Sequence, residues 1–432
     1  MKRILFLLAI IVLALNVTVA QTKSAQKSPV LSEAKPEVVG ISPERLGRID
    51  EMCKQMIKGE NLPGIVSLVA RKGKIVHWQA YGMADNQQKK KLNRDDIFRI
   101  ASQTKAITST AVMMLWEEGK FRLDDPVSKY IPEFANMQVL KNFKYSDTTW
   151  TGEPAKNKIT IRHLLTHTSG LGYGEIDGDE RMKLLYKKAG IAIAFSTENL
   201  SIEENIKRLA TLPLHFEPGT EYRYCMGLDV LGYFVEVISG MPFDQFLKTR
   251  IFDPLAMDDT GFYLPESKAD RLVTVQHKEN GEWKSFTDDF YDVDYPVKGA
   301  KTLFSGGGGL CSTAKDYAAF LQMYLNGGEY NGIRLLSRKT IETIMKNQIG
   351  DFWGEDTPRN MGLAFAVLTE KGVARGGEGS EGSFSWGGYF NTQYFADPQE
   401  KTIGIIMKQT QGKVEDPTGW KFRLLVDQAI DD

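Results

Sequence analysis

Strand-like runs occupy both ends of this 432-residue chain, and helical runs broken by Pro and Gly fill its middle. Ile65–Arg71 and Lys74–Tyr81 read as two strands joined by a tight Lys72-Gly73 turn. After about residue 300 strands return as Gly362–Thr369, Asn391–Ala396 and Thr402–Lys408. Between these ends, Ser201–Ala210 and Leu228–Ser239 have helical apolar spacing. The pattern predicts an α+β fold: one antiparallel sheet built from both ends, flanked by helices. An α/β part of about 41–120 and 300–432 then brackets an inserted helical lobe of about 121–299.

Local signals add three further helices. Ser42-Pro43 caps one that carries Leu46, Ile49, Met52, Cys53 and Ile57 on one face. A second runs from Ser102 to Glu118 and closes at Gly119. The last carries Trp420, Leu424, Leu425 and Ile430. A hydrophobic fraction of 42% supports a large core and argues against disorder throughout. A net charge of −1 argues against a nucleic-acid binder, which needs a basic surface.

The N-terminus reads as an address. Lys2 and Arg3 precede the apolar run Ile4–Leu15, and Thr18-Val19-Ala20 offers small residues for cleavage after Ala20. Residues 1–20 are therefore expected to be a secretory signal, and 21–40 a polar tether, giving an exported, periplasmic or secreted domain of 41–432. The run is shorter than the ~20 residues a spanning helix needs, and no later stretch qualifies. Cys53, Cys225 and Cys311 are too few for a disulfide framework and read as small buried hydrophobes.

Ser102-Gln103-Thr104-Lys105 carries the sharpest chemistry. Ser and Lys three apart at a helix start share one face. The first-turn N–H groups there have no helical partner, and the helix dipole favours an alkoxide and a neutral amine. A serine hydroxyl needs an adjacent base, and a lysine with an ordinary pKa of ~10.4 serves only if its surroundings lower that value. The spacing recurs at Ser24–Lys27, Ser32–Lys35 and Ser312–Lys315. The first two lie in the tether. The third follows Gly306–Gly309 and reads as a helix cap, with Thr313 and Asp316 forming a capping box. Only Ser102 heads a long apolar helix; the bland alternative is a simple capping serine.

Further motifs follow in order: His163-Leu-Leu-Thr-His167-Thr-Ser-Gly-Leu171; Pro218-Gly-Thr-Glu-Tyr-Arg-Tyr224; Ile251-Phe-Asp-Pro-Leu-Ala-Met257; Ser305-Gly-Gly-Gly-Gly-Leu310; Phe384-Ser-Trp-Gly-Gly388. Taken together, over about residues 41–430, they resemble the serine β-lactamase and penicillin-binding protein superfamily. The match is closest to its class C-like branch and to the carboxylesterases that share the β-lactamase fold. The resemblance implies a β-lactamase/transpeptidase-like fold, with Ser102 as nucleophile and Lys105 as its first base or tuning group. Tyr224 would be the second-motif tyrosine, a base toward Ser102 and an acid toward the leaving group. Trp386-Gly387-Gly388 would be the third-motif strand, and the Ser102 and Tyr389 N–H groups the oxyanion hole.

Two positions depart from the family pattern. Tyr224-Cys225-Met226 puts Met226 where an Asn amide usually meets the substrate. Trp386-Gly387-Gly388 lacks the cation and hydroxyl of Lys-Thr-Gly. A β-lactam or D-Ala-D-Ala peptide thereby loses a charged anchor worth ~1–3 kcal/mol. Both departures resemble the esterase branch.

Other constellations fail. No Gly-x-Ser-x-Gly elbow occurs. His163 and His167 are four apart on an expected helix, but Leu164 stands where a zinc peptidase has Glu, so both read as structural. Gly306–Gly309 lacks a following Lys-Ser/Thr and reads as a strand kink beside the site. Cys225 with His215 is a weak second nucleophile. Phe286–Tyr295 alternates acids and aromatics, and reads equally as a solvated loop or a wall of the cleft.

The expected activity is hydrolysis of short or medium acyl esters through a Ser102 acyl-enzyme, with no metal or organic cofactor. One alternative is a β-lactamase or D-amino-acid-specific peptidase on wall peptides. Another is a non-catalytic module that binds wall fragments or a partner.

Overall fold

A computed structural model describes residues 22–413 and 415–432; the expected signal segment lies outside them. Its central sheet has nine strands from both ends of the chain. They are β1 (Ser32–Glu33), β2 (Gly64–Arg71), β3 (Lys74–Asp85), β4 (Lys90–Lys91), β5 (Arg359–Met361), β6 (Ala366–Leu368), β7 (Phe384–Gly387), β8 (Gln393–Asp397) and β9 (Thr402–Met407). The order is β1-β3-β2-β9-β8-β7-β6-β5, with β4 on β3. The junction between the chain ends is β2 against β9, in register from Arg71↔Thr402 to Val66↔Met407. Every pair is antiparallel except β1 on β3, so the sheet is mixed at one edge.

The central strands are buried on both faces, so the strand period sorts their side chains into two cores. Val66, Leu68 and Ala70 of β2, with Ile403, Ile405 and Met407 of β9, enter the larger core. Ile65, Val69 and Ile406 face the other way, toward α1 (Pro43–Lys58). Ser42 caps α1 as its sequence predicts, its Oγ accepting from Arg45 N–H at 3.3 Å. On the larger core lie α2 (Thr104–Glu117), α3 (Gly227–Ser239) and α4 (Ala314–Leu325). The last helix, α5 (Thr418–Asp427), returns to pack beside α1. Burying a large aliphatic or aromatic side chain contributes about 1.5–3 kcal/mol, and the two clusters together sandwich the sheet.

Four elements differ from the sequence reading. The expected strand Gly362–Thr369 contains the turn between β5 and β6, because all of Met361–Leu368 is buried and hides the break. The middle segment also carries two hairpins, Gln138–Lys144 with Thr149–Pro154 and Gln276–Glu279 with Glu282–Ser285. Its apolar residues join the same continuous core as the sheet. Residues 22–40, read as a tether, lie along the domain: β1 joins the sheet, Leu31 is buried, and Ser24 N–H donates to Gly332 O. Thr313 caps α4 through Asp316 N–H, but the Asp316 carboxylate turns away to Asp259 N–H, so the expected capping box is only half made. No helix of the described residues is long and apolar enough to cross a membrane.

Candidate active site

Leu310 pins the start of the site. Its carbonyl accepts from Ile100 N–H at 3.0 Å, and its N–H donates to Thr104 Oγ1 at 3.1 Å. Between these bonds the chain turns sharply. Ala101 takes φ 43°, a left-handed conformation that costs a residue with a Cβ roughly 1–2 kcal/mol. Ser102 thus sits in a 3-10 turn just ahead of α2 rather than at the helix's first residue. It remains partly exposed while Ala101, Gln103 and Thr104 are buried.

Lys105 lies one turn on, 4% exposed. Its Nζ is 3.4 Å from Ser102 Oγ, 2.8 Å from the Tyr173 hydroxyl and 2.6 Å from the Gly307 carbonyl. All three contacts are oxygens within hydrogen-bond reach of the amine, so its position is fixed from three sides. The amine also lies 4.6 Å from the Tyr224 ring centroid.

The structure brings Tyr224 into the site through its ring. That ring stacks on Tyr173 at 5.2 Å and 18°, and lies 6.0 Å from Trp386. Its hydroxyl is buried without a hydrogen-bond partner among the described residues. The phenol that touches Lys105 is Tyr173, which the sequence reading did not single out. Burial, followed by the neighbouring Tyr224, pushes the Tyr173 phenol well above its ordinary value, so it stays protonated. Tyr173 is set by its backbone N–H, which donates to Asp177 Oδ2 at 2.8 Å.

Ser102, Tyr173, Phe195, Tyr224, Trp386 and Tyr389 line a cavity of about 270 Å³, with Gly307, Gly308, Gly387 and Gly388 on its wall. Among the described residues, no charged side chain lines it. Met226 does not reach the cavity. It stands just ahead of α3, 1% exposed in the apolar core, with its N–H bonded to Gly172 O. Gly388 must be small: a Cβ there would meet Thr392 Oγ1 at 2.3 Å and the Ile100 carbonyl oxygen at 2.5 Å. That close approach seats the end of β7 against the Ser102 turn.

The glycine run Gly306–Gly309 is a turn rather than a kinked strand. A Cβ on Gly307 would lie 2.2 Å from Asp229 Oδ2. Asp229, fully inside on α3, accepts from Gly307 N–H at 3.2 Å and from Ser305 Oγ. It therefore braces the carbonyl that receives Lys105. Neither Asp229 nor Tyr173 stands out in the chain, although Tyr173 lies two residues after the 163–171 motif.

The two histidines divide. The short helix stops at Leu165, so His167 is not on it and takes φ 58° instead. His167 Nδ1 accepts from Cys225 N–H at 3.2 Å, and its ring packs 4.5 Å from Tyr224. Burial, with Lys105 nearby, holds its imidazole well below the ordinary value and neutral. His163 Nδ1 accepts from Thr160 N–H in a capping box. All three cysteines are buried and free, and burial pushes the Cys225 thiol up to about 11. No residue of the 286–295 stretch lines the Ser102 cavity; Tyr291 packs behind Tyr389 at 6.0 Å, and Phe290 is exposed.

A Ser-x-x-Lys turn facing a tyrosine pair and the end of β7 defines a serine hydrolase with a β-lactamase/transpeptidase-like fold. The Beta-lactamase family model matches residues 49–428, and the chain belongs to that family. It shares 32% identity with Esterase EstB of Burkholderia gladioli, over 81% of this chain and 86% of the relative. Protein Rv1367c of Mycobacterium tuberculosis is also 32% identical, with the same coverage of each chain, 81% and 86%. Among solved structures, EstCE1, a hydrolase with promiscuous acyltransferase activity, superposes with a TM-score of 0.74. It is 28% identical and covers 90% of this chain and 99% of its own.

Proposed function

We propose that this serine hydrolase is a carboxylesterase for short or medium acyl esters. The observation that carries the reading is the uncharged lining of the Ser102 cavity. A β-lactam or wall peptide would bury its carboxylate there without a cation, whereas an acyl chain gains from the apolar wall. The similarity to Esterase EstB supports the same reading.

In this reading Lys105 takes the Ser102 proton as Oγ attacks the ester carbonyl. The Ser102 and Tyr389 N–H groups receive the developing oxyanion. Trp386, Gly387 and Gly388 line the acyl path. The Tyr224 hydroxyl, unpartnered in the free enzyme, delivers the proton to the leaving alkoxide. Water then attacks the acyl-enzyme along the reverse proton path. Tyr173 and Gly307 position Lys105 throughout. The N-terminal segment fits a role in export.

The test is intact-mass spectrometry after p-nitrophenyl butyrate and, separately, a penicillin, with Ser102→Ala as control. An acyl adduct from the ester that vanishes in the variant, with little penicillin adduct, is the expected result. A long-lived penicillin adduct on Ser102 would replace this reading with the wall-peptide one. No adduct from either would remove the acyl-enzyme claim for both classes.

A further inference from the structure

On the face of β7 opposite Phe384, Ser385 and its register neighbours Ala366 and Phe395 floor a second cavity of about 510 Å³. α5 walls it with Trp420, Phe422 and Arg423, and β5 contributes Arg359. It is separate from the Ser102 cavity, but Trp386 and Gly387 line both.

Arg423 is the anomaly here. It is 5% exposed, and its Nε and Nη2 have no hydrogen-bond partner among the described residues. Its guanidinium lies 4.7 Å from the Phe395 ring centroid. A buried guanidinium without acceptors is unfavourable unless something supplies them. Arg359 beside it makes only a 3.5 Å contact to Ser385 Oγ. Among the described residues neither arginine forms a salt bridge.

The carboxylates nearby do not serve. Asp397 is committed to Ser380 N–H, Ser383 Oγ, Gln399 N–H and Glu400 N–H, at 2.7–3.1 Å. Asp427 is pushed up to about 6, chiefly by burial. Glu378 lines the cavity without pairing to either arginine. The charged lining is therefore two arginines against one glutamate. That balance suits a single negative charge, and the planar guanidinium suits a carboxylate. The aromatic walls suit an apolar body.

We propose that this cavity binds a carboxylate carried on an apolar chain or ring, seated by Arg359 and Arg423 on the far side of β7 from the Ser102 cavity. The inference stands whether or not the esterase reading holds.

The probe is octanoate, titrated calorimetrically into the Ser102→Ala protein, with 1-octanol as the uncharged match. Octanoate is expected to bind, to weaken with salt, and to lose at least tenfold in affinity in Arg359→Gln and Arg423→Met. Binding should persist when the Ser102 of the unsubstituted enzyme has been phosphonylated to fill the other cavity. Loss of binding on phosphonylation would place octanoate in the Ser102 cavity and overturn the proposal. So would unchanged affinity in Arg359→Gln, whose half-exposed site decides alone if Arg423→Met does not fold. No binding at millimolar octanoate would overturn it as well.

Discussion

Lys105 Nζ lies 2.6 Å from the carbonyl oxygen of Gly307, closer than it lies to Ser102. The amine's direction is thus set by a backbone group, and that group is braced by Asp229 through Gly307 N–H. The candidate nucleophile and base sit on one helix turn, but the base is aimed from a loop about two hundred residues further along the chain.

The brace predicts a graded effect at position 229. Asp229→Ala removes the acceptor of Gly307 N–H and should lower kcat about 100-fold with KM little changed, as expected for ~2–3 kcal/mol of lost positioning. Asp229→Asn keeps an acceptor oxygen and should recover most of the rate. Steady-state kinetics on p-nitrophenyl butyrate check this; equal losses in both variants would refute the positioning role.

The two phenols should separate by magnitude. Tyr224→Phe removes the proposed acid–base group and should cost kcat about 10²–10⁴-fold. Tyr173→Phe removes one partner of Lys105 and should cost about tenfold. The reverse ranking would transfer the acid–base role to Tyr173.

Gly388→Ala should damage the site without touching a polar group there. The added methyl meets the Ile100 carbonyl, so β7 must move away from the Ser102 turn. Overpacking of this kind costs about 1–3 kcal/mol. A lowered Tm, with an acylation rate at Ser102 reduced more than tenfold, is the expected result from melting curves and stopped-flow kinetics.

The Asp427 carboxyl, pushed up to about 6 chiefly by burial, predicts a pH-dependent stability. Its folded value exceeds the ordinary 3.8, so the folded state holds the proton more tightly. The associated stability is complete below about pH 4 and is lost as pH rises through about 6. Asp427→Asn should therefore stabilise the protein by about 2–3 kcal/mol at pH 8 and have little effect at pH 4. Urea unfolding at the two pH values measures it; an equal change at both would contradict the assignment.

Local patterns made a large part of this molecule legible. The Lys72-Gly73 hairpin forms with both residues at positive φ, because the turn and its flanking alternation act over a few residues. Ser42, Ser201 and the α2 run are visible for the same reason. The Gly362–Phe365 turn was hidden because burial is continuous through it, so apolar content carried no break. Met226 was misplaced because adjacency to Tyr224 says nothing about which way a side chain points where α3 begins.

The sequence by itself determined the Ser102–Lys105 pair, the two-ended sheet and the family, since each rests on spacing within one element or on the order of motifs. Tertiary structure alone decided the partners of Lys105. Tyr173 and Gly307 lie 68 and 202 residues from it in the chain, and only packing of α2, α3 and the glycine turn brings them within hydrogen-bond reach. Hydrogen bonds act over about 3 Å whatever the separation in sequence, so no local pattern encodes them.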